Sequence, residues 1–72
     1  MKGKIKIVYD KDENAIEIIA DDDGLNYLSD ICMKIKGHET PAGHFHLMEK
    51  MKNVTKGSIR TTIVYSPNPE QE

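Results

Sequence analysis

Apolar and polar residues alternate near both ends of the chain and fall into a helical stripe between them. In residues 4–9, KIKIVY, Ile5, Ile7 and Tyr9 point one way while Lys4, Lys6 and Val8 point the other, the period of a strand with one buried face. Residues 10–14 form a polar turn. The alternation resumes over residues 15–20, with Ile16 and Ile18 on one side and Glu17 and Ile19 on the other, so the two strands are expected to pair as an antiparallel hairpin. Leu25, Leu28, Cys32 and Ile35 then recur at three-and-four spacing, with Ile31 widening the face, which predicts a helix over residues 24–36. Asp22 or Asp23 suits its N-terminal cap, Lys34 and Lys36 suit its negative end, and Gly37 suits a left-handed stop.

Past the helix, Thr40-Pro41-Ala42-Gly43 has the residue preferences of a type I turn that returns the chain to a sheet. Residues 44–48 read as a third strand, Phe45 and Leu47 facing the helix and His44, His46 and Met48 facing away. A polar, lysine-rich connection leads to residues 59–65, IRTTIVY, which carry the strongest strand signal in the chain. There Ile59, Thr61, Ile63 and Tyr65 share one face, and Arg60, Thr62 and Val64 the other. Two prolines then interrupt regular structure, so residues 67–72 are expected to be a flexible acidic tail on a single domain of residues 1–66. The expected fold is α+β, a four-stranded antiparallel sheet in the order β-β-α-β-β with one helix packed on one face. Its predicted core sets Leu25, Leu28, Cys32 and Ile35 against Ile5, Ile7, Ile16, Ile18, Phe45, Leu47, Ile59, Thr61 and Ile63.

Composition narrows the function. With 72 residues the core is small, and 10 basic against 12 acidic residues leave a formal charge of -2, with no general attraction to nucleic acid or anionic membrane. Aromatic residues are too few and too scattered to make a stacking platform. No signal peptide leads the first strand and no apolar run approaches the roughly 20 residues of a membrane helix, so a cytoplasmic protein without membrane association is expected. The one cysteine, Cys32, excludes an internal disulfide and reads as an apolar filler of the helix. Asn53-Val54-Thr55 fits a glycosylation sequon, which in a cytoplasmic chain marks only a polar loop.

A single helix shields only part of a four-stranded sheet. The face turned away from it would carry Val8, Ile19, Met48 and Val64 among Glu17, His44, His46 and Arg60, a mixture suited to contact with another protein or with a second copy of the chain. The sharpest chemical alternative is a metal site. His44 and His46 occupy alternate strand positions about 6.5 to 7 Å apart, close enough to share one ion, but a third ligand must come from Glu17, Glu49 or His38. Nucleophilic catalysis would need Cys32 beside a histidine, and the two residue types are placed on opposite sides by their spacing. Asp10, Asp12 and Asn14 lack the glycine and the closing glutamate of a calcium loop. The residues therefore describe a non-enzymatic protein-binding module without a cofactor. A small metal-binding or catalytic protein using His44 and His46 is the alternative.

The order of motifs adds a resemblance. The helix entry Asp22-Asp23-Gly24-Leu25, the leucine-patterned helix, the strand Gly43-His44-Phe45-His46-Leu47 and the final aliphatic strand resemble the immunity protein 32 family, small bacterial proteins found beside polymorphic toxins. The resemblance spans residues 14–65. It implies a non-enzymatic protein that neutralises a cognate toxin by binding it, and it carries no functional residue across. The acidic stretch from Asp10 to Asp23 would suit a basic target such as a nuclease toxin.

Overall fold

A computed structural model describes residues 3–40 and 43–71. Strand β1 (Ile5–Asp10) is followed by β2 (Ala15–Ala20), helix α1 (Asp22–Lys36), β3 (His44–Leu47) and β4 (Thr61–Val64), with short 3-10 turns at Glu49–Met51 and Pro69–Gln71. The fold is α+β with one helix, and its strands form two antiparallel hairpins rather than one ladder of four. β1 pairs with β2 from Ile5↔Ala20 to Asp10↔Ala15, and β3 pairs with β4 from His44↔Val64 to Leu47↔Thr61.

The reason the hairpins do not merge lies in residues 55–59. Thr55 N–H donates to Ile5 O at 2.7 Å and Ile59 N–H donates to Ile7 O at 2.8 Å, so this segment runs parallel to β1 along its second edge. A regular parallel ladder would next carry a bond from Ile7 N–H to Thr55 O. Ser58 takes both groups instead: its Oγ accepts from Ile7 N–H at 3.1 Å and its own N–H donates to Thr55 O at 3.2 Å. Lys56 and Gly57, the latter with φ +88°, loop out to make this possible. One step on, the Thr61 hydroxyl donates to Ile59 O at 3.0 Å, the carbonyl that a continuing ladder would offer to Tyr9. The expected all-antiparallel four-stranded sheet is thus corrected to two hairpins joined by a parallel, side-chain-interrupted seam.

Helix α1 begins two residues earlier than its apolar pattern predicts. The cap is Asp21, whose Oδ1 accepts from Gly24 N–H at 2.8 Å and from Lys4 N–H at 3.0 Å, in place of the expected Asp22 or Asp23. Those two N–H groups, Lys4 first, hold the Asp21 carboxyl below the usual carboxylate range. Gly24 is buried because β1 enters directly across it; a Cβ there would come into hard contact with Lys4 O. At the other end the left-handed residue is His38, φ +60°, while Gly37 keeps φ -83°. His38 N–H donates to Ile35 O and Glu39 N–H to Lys34 O, the paired bonds of a Schellman stop. The expected turn through Pro41 and Ala42 lies outside the described residues.

The core consists of Ile5, Ile7, Ile31, Ile35 and Leu47, with Ala20, Tyr27, Leu28, Phe45, Val54 and Ile63 packed around it. Its helical stripe is Gly24, Ile31 and Ile35 with Tyr27 and Leu28 beside them, turned by roughly a sixth of a turn from the predicted one, at about 100° per residue. Leu25 and Cys32, both expected inside, are exposed, and so are Ile16, Ile18 and Ile59. The two β2 isoleucines do lie on the predicted face, opposite Tyr9 and Ile7, but the helix does not cover that end of the hairpin.

Candidate functional site

The proposed contact residues divide between the two hairpins. On the first, Val8 faces Glu17 and Lys6 faces Ile19 across the β1–β2 ladder, on the side away from the core. Glu17 and Ile19 are exposed and Val8 is half-buried. On the second, His44 faces Val64 and His46 faces Thr62, again on the side opposite Phe45, Leu47 and the core. Val64 is 62% exposed and Ile19 54%, the most open of the expected apolar contacts. Arg60 precedes β4 and is exposed. Met48 is half-buried just past β3, where it opens a 3-10 turn, so the expected third strand ends one residue short of it. No strand pairing joins the two sets, because the interrupted seam lies between them.

The histidines share a face, as their spacing requires. Their rings meet edge to face with centroids 4.8 Å apart, and His46 Nδ1 lies 2.9 Å from Thr62 Oγ1. The third ligands considered from the sequence are elsewhere. Glu17 sits opposite Val8 on the first hairpin, Glu49 Oε2 accepts from Gly57 N–H at 2.9 Å, and His38 packs edge-on against Tyr65 at 5.4 Å. Among the described residues no three His, Cys, Asp or Glu side chains gather where they could hold an ion. Two imidazoles and a hydroxyl make instead a small polar cluster able to donate or accept at several points.

Asn53 is the residue sequence reasoning missed. It is 5% exposed, the one polar side chain buried among the described residues. Its Oδ1 accepts from Met48 N–H at 2.9 Å, and its Nδ2 donates to His46 O at 3.0 Å and reaches the Tyr27 hydroxyl at 3.5 Å. The side chain thereby ties the end of β3, the turn after it and the helix together, and sets the backbone from which His46 projects. Its sequon context drew attention to a different chemistry, and no periodicity marks a buried polar residue inside a loop. The second omission is the helix-side patch of Tyr9, Ile16 and Ile18, whose alternation suggested core.

No helix among the described residues is long and apolar enough to cross a membrane. Compared with protein-family models, curated proteins and solved structures, the chain matches none.

Proposed function

We propose that the chain is a non-enzymatic protein-binding module of the immunity type, which neutralises a toxin by contact through the face bearing Val8, Glu17, Ile19, His44, His46, Met48, Arg60 and Val64. The observation that carries this reading is the exposure of Ile19 and Val64, large apolar side chains on the coreless side of each hairpin, beside groups that can hydrogen-bond in either sense. Apolar anchors within a polar rim are the anatomy of a protein contact. Exposed acidic residues in the β1–β2 turn and at the start of the helix favour a basic partner, chiefly by raising the rate of encounter. The order of motifs, which resembles that of the immunity protein 32 family, points to the same class.

The test is genetic and physical. Expression of the product of the adjacent gene should arrest growth, and co-expression of this chain should relieve the arrest by forming a complex that co-purifies. Val64→Lys and Ile19→Lys should each weaken that complex by about tenfold or more, the size of effect seen for anchoring residues. A neighbour product that is harmless, or a complex indifferent to both substitutions, would reject the reading.

A further inference from the structure

β2 has a free edge. Among the described residues its only ladder partner is β1, and none outside β1 donates to or accepts from its backbone. The phase of that ladder shows which groups are exposed. Asp21 N–H donates to Lys4 O, which continues the β1–β2 register one pair beyond Ile5↔Ala20. Hydrogen-bonded pairs alternate, so Lys6↔Ile19, Val8↔Glu17 and Asp10↔Ala15 exchange the bonds, and Ile16, Ile18 and Ala20 turn their N–H and C=O groups outward. The same alternation turns the groups of Ile5 and Ile7 to the opposite edge, where Thr55, Ser58 and Ile59 do meet them.

This edge has few of the features that keep edges from pairing, its one charged side chain being Glu17. The strand AIEIIA contains no proline, no lysine and no bulge, and its three isoleucines are each more than half exposed. We propose that the open edge of β2 docks a second copy of this chain, giving a continuous antiparallel sheet β1-β2-β2-β1 about a two-fold axis through Ile18. A two-fold pairing can be centred on a residue only, since opposite residues must share a face. Centring on Glu17 sets two carboxylates directly opposite each other, at a non-bonded pair with Cα atoms about 4.5 Å apart. Centring on Ile18 removes that clash and complements charge. Glu17 of one copy then faces Ile19 of the other, and Lys6, already opposite that Ile19, completes a row with a cation at one side and a carboxylate at the other.

The apolar side chains follow the same geometry. On the helix-side face the central row becomes Ile7, Ile18, Ile18, Ile7, so the half-exposed Ile18 meets its own counterpart. Ile16 comes opposite Ala20 of the second copy, next to the start of that copy's helix, where Leu25 is 56% exposed. The residues the core leaves uncovered are thus the ones this pairing covers. The dimer edge shares Glu17 and Ile19 with the surface assigned to a toxin, whereas Val64 of that surface lies on the other hairpin and outside the pairing.

Sedimentation of the isolated chain from micromolar to millimolar concentration tests the proposal. The mass should double from 8.2 kDa with concentration. Ile18→Pro, which deletes an outward N–H without touching the β1 ladder, and Ile18→Lys, which sets two cations at the axis, should both abolish the doubling with the circular dichroism unchanged. Val64→Lys should leave it intact. In a Cys32→Ser background, oxidised Ile18→Cys should give a covalent dimer and Ile16→Cys should not; because this comparison needs no disruptive substitution, it stands even if the proline variant unfolds. A chain monomeric throughout, a dimer that survives both Ile18 substitutions, or cross-linking as ready at residue 16 as at residue 18 would overturn the proposal.

Discussion

Replacing Asn53 with alanine should be among the most damaging single changes in the chain, although nothing in its sequence context suggests it. The side chain satisfies two main-chain groups, Met48 N–H at 2.9 Å and His46 O at 3.0 Å, while its contact with the Tyr27 hydroxyl at 3.5 Å is at the limit of a hydrogen bond and adds little. Truncation leaves both main-chain groups without their partner in a site that is 5% exposed. Each orphaned group costs about 1 to 3 kcal/mol, so the loss is roughly 2 to 6 kcal/mol, toward the lower value if a water molecule enters the space left by the amide. At about 0.05 to 0.15 kcal/mol per residue the whole domain holds only on the order of 4 to 11 kcal/mol, so the variant approaches unfolding at room temperature. Urea denaturation followed by circular dichroism measures the difference, with the exposed Asn68→Ala as the comparison, expected within about 0.5 kcal/mol of the parent. Asn53→Asp adds a second reading: its carboxylate keeps the acceptor for Met48 N–H but faces the His46 carbonyl with another oxygen. That variant should recover stability as the pH falls and the carboxyl gains a proton to donate. An Asn53→Ala loss below about 0.5 kcal/mol, the size of a surface change, would show that the amide does not organise this region.

The helical stripe makes a second, opposed pair: Ile31→Ala should cost about 2 to 5 kcal/mol and Leu25→Ala less than about 0.5, in the same denaturant assay, reversing the order the apolar pattern suggests. Gly24→Ala, which in an open helix gains about 1 kcal/mol of propensity, should instead lower the melting temperature, because its Cβ meets Lys4 O. Asp21 contributes through its lowered pKa, so its stabilisation is fully present above the unfolded-state value and is lost as the pH falls through the folded one. Melting temperatures of the parent and Asp21→Asn should therefore differ at neutral pH and converge in acid.

Local periodicity was enough to determine the four strands, the helix and their order, because each element's alternation or three-and-four spacing reflects which side of it is apolar, whatever lies beyond. The facing of His44 and His46 away from Phe45 and Leu47 followed from the same period of two. Several features required the folded chain. Ile16 and Ile18 carry the pattern of a core without entering it, since a helix of 15 residues leaves their end of the first hairpin uncovered, and Leu25 does so because the helix turns Gly24, Ile31 and Ile35 inward instead. Whether four strands make one sheet or two turned on Ser58, whose side chain occupies the groups of Ile7 and Thr55 that would have bonded to each other. Asn53 became a structural residue only because Met48, His46 and Tyr27 converge on it from different elements. Hydrophobic pattern reports the sidedness of one segment at a time, whereas coverage of a face and the partner of a buried polar group are relations between segments, decided when tertiary packing brings them together.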